Sequence, residues 1–181
     1  MDEQRLISLA VACGAAKAAV FSVSDVVLSE EFRGICEQNA CGMYGRCYMC
    51  PPDVGEIRPL MEKVRGYERG LLYQTIAPLE DSFDIEGMQA AADDHAQCTQ
   101  RVRDALASLL PPDSMYLAAG GCHLCGRCAK RDGLPCRFPQ RALPSMEACG
   151  IDVYQLTRVT PLRYINGQNT VTYFSAALWR E

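Results

Sequence analysis

A single α/β domain, with a central sheet of about four strands flanked by helices and two cysteine-rich metal-binding loops at one edge, is the fold this sequence predicts. Three observations carry it. Segments of helical and of strand periodicity alternate along the chain. The 181 residues, 49% hydrophobic and 22% charged, suit one globular domain spanning residues 1–181. Eight of the eleven cysteines crowd into two short blocks that follow strands or a short link, which places the loops 36–52 and 120–139 side by side.

The elements follow in order. Residues 4–13 read as a helix, with Leu6, Leu9, Ala10 and Cys13 on one face and Gly14 as its stop. Residues 18–28 are rich in β-branched side chains and read as a strand, interrupted near Ser24-Asp25. After the first cysteine block, Ile57, Leu60, Met61 and Val64 mark a second helix, with Pro59 tolerated in its first turn. Residues 71–77 form the next strand. The longest helix spans 87–110, where Met88, Ala91, His95, Cys98, Val102, Leu106 and Leu109 recur at helical spacing before Pro111-Pro112. Residues 115–119 form a strand that runs into the second cysteine block. Pro144-Ser145 opens a short helical piece, Asp152 caps another, Asn166-Gly167 marks a turn, and 170–178 form the last strand.

The net charge of −4 argues against a general nucleic-acid binder, which needs a basic surplus. No apolar run reaches the ~18–20 residues of a membrane helix. The start, MDEQR, lacks the basic and apolar segments of an export signal, so a cytoplasmic protein with no membrane role is expected. There thiols stay reduced, and clustered reduced thiols bind soft metals rather than form a disulfide framework.

The second block, GGCHLCGRCAKRDGLPCRFP, offers Cys122, Cys125, Cys128 and Cys136. Three cysteines in direct C-x2-C-x2-C series let a loop wrap a cubane and present sulfurs to successive irons. Zinc sites more often show two separated C-x2-C pairs, so a [4Fe-4S] cluster is the first expectation and zinc the alternative. The first block, CEQNACGMYGRCYMCPP, offers Cys36, Cys41, Cys47 and Cys50. It is compatible with a second cluster, with a zinc knuckle, or with one site sharing ligands from both blocks.

Cys13, Cys98 and Cys149 read as small packed hydrophobes, although Cys149 lies near enough to Cys136 to substitute as a ligand. His95 reads as an interior, hydrogen-bonded histidine. His123 beside Cys122 is a candidate donor to cluster sulfur. The bases Arg127, Lys130, Arg131, Arg137 and Arg141 have two readings. They compensate the charge of four thiolates around a cubane, or they dock an acidic redox partner or an anion. The run EDSFDIE at 80–86 reads as a helix entrance whose acids complement the dipole, or as a proton-handling or hard-metal site.

Together the stretches CEQNACGMYGRCYMCPP, TIAPLEDSFDIEGM, GGCHLCGRCAKRDGLPCRFP, PSMEACGIDV and INGQNTVTYF resemble a cysteine-rich family of predicted metal-binding proteins, domain-of-unknown-function family 2284. The likeness runs from residue 36 to 174, and the family is similar to proteins of anaerobic bacteria and archaea. The resemblance implies a metal or iron–sulfur protein and supplies no reaction. In that family's pattern cysteines match Cys36, Cys41 and Cys50, while asparagine often stands at the position of Cys47, which makes Cys47 a non-obligatory ligand. Asn166 and Asn169 belong to the resemblance too. They either build the turn before the last strand or donate to cluster sulfur.

Three functions follow as expectations: an electron-transfer or redox-accessory protein with one or two [4Fe-4S] clusters and a redox protein partner; an iron–sulfur enzyme with an open iron; or a zinc-binding interaction module.

Overall fold

A computed structural model describes residues 2–181. The chain runs α1 (Glu3–Ala12), β1 (Lys17–Ser22), α2 (Glu31–Glu37), α3 (Ile57–Arg65), β2 (Arg69–Pro78), α4 (Ile85–Leu106), β3 (Met115–Leu117), α5 (Val153–Arg158) and β4 (Thr170–Trp179). The four strands form one sheet in the order β1-β2-β4-β3. Every pairing is antiparallel.

Local chemistry accounts for most boundaries. The Asp2 carboxylate accepts from the Gln4 and Arg5 amides and starts α1. Asp152 does the same for α5 through the Gln155 amide at 2.9 Å. β1 stops at Ser22 and gives way to a 3-10 turn over Val23–Asp25, at the interruption expected near Ser24-Asp25. Helix α4 ends at Leu106, short of Pro111. The chain tightens there, with the Leu109 and Leu110 amides both donating to the Leu106 carbonyl. Helix α2 has no counterpart in the sequence expectation. It buries no residue, so no apolar periodicity marks it.

Alternation along the strands sorts side chains onto two faces. Leu71, Tyr73, Ala177 and Trp179 pack against Leu6 and Ala10 of α1 and Cys98, Val102 and Leu106 of α4. Leu72, Phe174, Ala176 and Leu178 face the other way, onto Val64 of α3, Leu156 of α5, and Met146, Cys149 and Ile151. Gly70 lies across from Phe21 in register, and a Cβ there would stand 2.2 Å from the Phe21 ring. The glycine is what lets the phenyl ring lie over the neighbouring strand.

Strand β3 pairs only with Ala176–Leu178 of β4. At the point where β3 stops, the chain turns away into the second cysteine block. Among the described residues no helix is long and apolar enough to cross a membrane.

Candidate metal centre

Cys36 lies in the last turn of α2, and the rest of the two cysteine segments is mostly turns, with a 3-10 helix over Ala129–Asp132 in the second. In the first, Asn39 adopts φ +54° and its Oδ1 accepts from the Tyr44 amide at 3.0 Å. Gly42 and Gly45 follow at φ +70° and +65°, where a side chain would be strained. These reversals fold the loop back on itself, and the Gly45 amide donates to the Pro51 carbonyl at 2.8 Å.

The two loops then lock together. Tyr48 donates its hydroxyl to the Leu134 carbonyl at 2.8 Å. Lys130 pairs with Asp53 at 2.6 Å, and its ammonium lies 5.4 Å above the Tyr48 ring. The joint matters because it brings cysteines far apart in sequence to one place. Cys47, Cys122, Cys125, Cys128 and Cys136 line a single narrow chamber of about 10 Å³, room for about one water molecule. Met49, Leu124, Ala129, Phe138 and Ala142 complete most of its wall.

Cys47 is the junction. Spacing alone groups it with Cys50, and the structure adds the second block. Its thiol faces the thiols of Cys50 and Cys128 and the backbone amides of Cys122 and Met49. Hydrogen bonding with Cys50 dominates and holds the Cys47 thiol below its ordinary pKa against the opposing effect of burial. Cys50 is driven upward by the same hydrogen bond and by burial. The two shifts are opposite in direction and arise from the same contact. Burial, with Cys41 next, raises the Cys36 thiol, and burial raises Cys122. Cys41 is the one exposed member of the eight.

Among the described residues no three His, Cys, Asp or Glu side chains gather tightly enough to hold one metal ion. The thiols share a chamber without converging on a point.

The remaining candidates take definite partners. His123 donates to Asp93 of α4 at 3.0 Å. Arg137 lines the chamber and donates to the Arg127 carbonyl at 2.9 Å. Asn166 donates to the Arg163 carbonyl at 2.8 Å and to Thr172 at 3.1 Å. Asn169, at φ +52°, donates to the Glu80 carbonyl at 3.3 Å. The Asn166 amide is used within the turn and the start of β4, and the Asn169 amide ties that turn to the segment just past β2. Asp84 is the α4 cap, accepting from Gly87 at 2.8 Å and Glu80 at 3.1 Å, which gives the acidic run its role as a helix entrance.

His95 is buried, with Nδ1 2.8 Å from Thr75 Oγ1 and Nε2 2.7 Å from Ser175 Oγ. Burial lowers its pKa to about 4, so the ring is neutral at neutral pH. Cys98 and Cys149 lie inside the two core faces.

Sequence reasoning missed Asp93 and Met43 as members of this region. Asp93 had a weak signal, because Gln89, Asp93 and Gln97 repeat every fourth residue on the polar side of α4. Met43 had none.

The family model described as predicted metal-binding protein (DUF2284) matches residues 19–179, nearly the whole chain. No curated protein and no solved structure matches it.

Proposed function

The chain belongs to this family of predicted metal-binding proteins, and on that premise we propose that its cysteine loops hold iron–sulfur clusters and that it works in electron transfer or as a redox accessory. One observation carries the reading: five thiols from two distant segments line one chamber with mostly apolar walls. Thiolates are soft donors, which select zinc, copper(I) and iron–sulfur clusters over hard cations. A lone zinc takes four donors at ~2.3 Å from a single point, most often from two separated C-x2-C pairs rather than three cysteines in direct series. A cluster spreads its ligands over several irons and suits thiols arranged around a space.

Cys122, Cys125, Cys128 and Cys136 are the proposed ligands of one [4Fe-4S] cluster. Cys36, Cys41 and Cys50 are those of a second, with Cys47 between the two. Bound clusters supply one-electron chemistry. The chain's own residues do the rest. Met49, Leu124 and Phe138 keep water from the chamber, and the Arg137 cation offsets thiolate charge. A redox protein is the proposed partner and the cytoplasm the proposed location.

A second reading, an enzyme, is favoured by the position of Cys47. If it serves the second chamber, the first loop offers three thiolates and leaves a position for substrate, by the logic that separates open from closed metal sites.

Anaerobic reconstitution with iron and sulfide tests the proposal. The expected result is broad absorption near ~400 nm with acid-labile sulfide in step with iron, and loss of about half of the iron in Cys128→Ala. A colourless protein that takes zinc and no sulfide overturns it, as does full iron content in that variant.

A further inference from the structure

Helix α4 and the second cysteine loop meet at the His123–Asp93 bond without closing on one another along the rest of their length. Between them lies a cleft of about 910 Å³, at the upper end of the ~300–1,000 Å³ common for small-molecule sites. One wall is α4. Gln89, Asp93 and Gln97 form a polar stripe along it, and Ala92, Ala96 and Gln100 form the next. The alanines leave room, and the amides offer both donors and acceptors. The other wall is the second loop from Gly121 to Cys128 with Arg131, and Cys41 and Met43 of the first loop join it.

The charges in this wall are unevenly paired. Arg127 is tied to Asp132 at 2.7 Å, and His123 to Asp93 at 3.0 Å. Outside the cleft, Lys130 is tied to Asp53 at 2.6 Å and Arg141 to Asp104 at 2.9 Å. Arg131 differs. Its one side-chain contact of this kind is to the Met43 thioether sulfur at 3.6 Å, and it forms no ion pair among the described residues. A guanidinium carries five donors in a planar fork that matches carboxylate or phosphate, and a thioether is a weak acceptor for one of them. Of the basic side chains lining the large polar cleft, Arg131 alone lacks an acidic partner among the described residues.

We infer that this cleft binds a small molecule bearing a carboxylate or phosphate group, with Arg131 as the anchor and Gln89 and Gln97 facing the rest of the ligand. The inference deepens the enzymatic reading above and rests on it for what the ligand would meet: Cys41, Cys122, Cys125 and Cys128 also line the cleft. A molecule held at Arg131 lies beside proposed ligands of both clusters.

Titration calorimetry on the full, metal-loaded chain tests this, with citrate and inorganic phosphate as separate probes at fixed ionic strength. The expected result is saturable binding of at least one probe at one site per chain. Arg131→Gln weakens it by about tenfold or more, as loss of a charge-assisted hydrogen bond requires. Arg158→Gln, a base on α5 outside the cleft, leaves it within about twofold. Gln97→Glu, an exposed position that puts a like charge on the facing wall, also weakens it and stands as the readout if Arg131→Gln fails to fold. Absence of saturable binding overturns the inference, as does unchanged affinity in both cleft variants. An iron-loaded protein indifferent to both probes rejects the site and leaves the cluster reading intact. Binding through Arg131 in a chain that takes no iron supports the site and rejects the clusters.

Discussion

Cys149 and Cys47 are both buried thiols, 0% and 1% exposed, in opposite surroundings. Cys149 sits among Met146, Ile151 and Leu156 in the sheet core, where burial pushes its pKa up to about 12. Cys47 sits between two irregular loops, where a neighbouring thiol and backbone amides outweigh burial and favour its anion. The difference teaches that burial alone does not make a cysteine inert. What decides is whether the surroundings are apolar side chains or polar groups able to stabilise charge. It also divides the molecule into a sheet region with its own apolar core and a loop region held by polar contacts and, as proposed, by metal.

Metal removal gives the largest expected separation between the regions. A structural centre contributes folding energy to the segment that ligates it, and these loops have little core of their own. Chelation should leave most of the far-UV circular dichroism in place and open residues 36–52 and 120–139 to protease. Loss of all secondary structure, or equal protease resistance with and without metal, would show that the regions are one cooperative unit.

The converse experiment strikes the core. Leu71 is fully buried between β2 and the α1/α4 layer, so Leu71→Ala should cost ~2–5 kcal/mol of stability. Metal bound per folded chain should stay the same. A fall in metal stoichiometry in the folded fraction would mean the core shapes the loops more tightly than supposed.

A smaller effect is expected from His95, beside the tyrosine rings of Tyr73 and Tyr173. Its folded pKa of about 4 lies below the ordinary 6.5 because burial disfavours the cation. The unfolded chain therefore binds the extra proton in that window. Stability contributed by the neutral ring is complete above pH 6.5 and is lost as pH falls toward 4, by an order of ~3 kcal/mol. In His95→Gln, denaturant melts across that range should show a flatter pH slope than the parent. Equal slopes would reject the assignment.

Cys47→Asn should have the least effect on stability and still discriminate. If Cys47 ligates, the cluster survives, but its electron paramagnetic resonance spectrum becomes sensitive to cyanide or small thiols. An unchanged spectrum and ligand response would show that Cys47 is no ligand and raise the enzyme reading above the carrier.

The sheet region was the legible part. Asp152 announces its helix because a cap is a local device, and the acids of 80–86 mark the entrance of α4, while β2, β4 and α4 show because their apolar patterns match their burial. Helix α2 escaped because it buries nothing. The wholly antiparallel order of the strands was not legible, since alternation of elements fixes neither direction nor neighbour. In the site, spacing groups cysteines within a block and cannot say that Cys47 also turns toward Cys128. Nor can it place Asp93 opposite His123, since they stand 30 positions apart with the rest of α4 and β3 between them.

The shortness of β3 has a further consequence. Strand β4 is paired along its full length by β2, but on its other side only Ala176–Leu178 have a strand partner. From Thr170 to Ser175 that side is a sheet edge, and a free edge is a template for another chain. The second cysteine loop begins where β3 leaves off, and its Gly121 and Cys122 line the same cleft as Tyr173 of that edge. When metal loss opens that loop, the edge loses its neighbour, and self-association through β4 is the fault expected while the secondary structure is still intact.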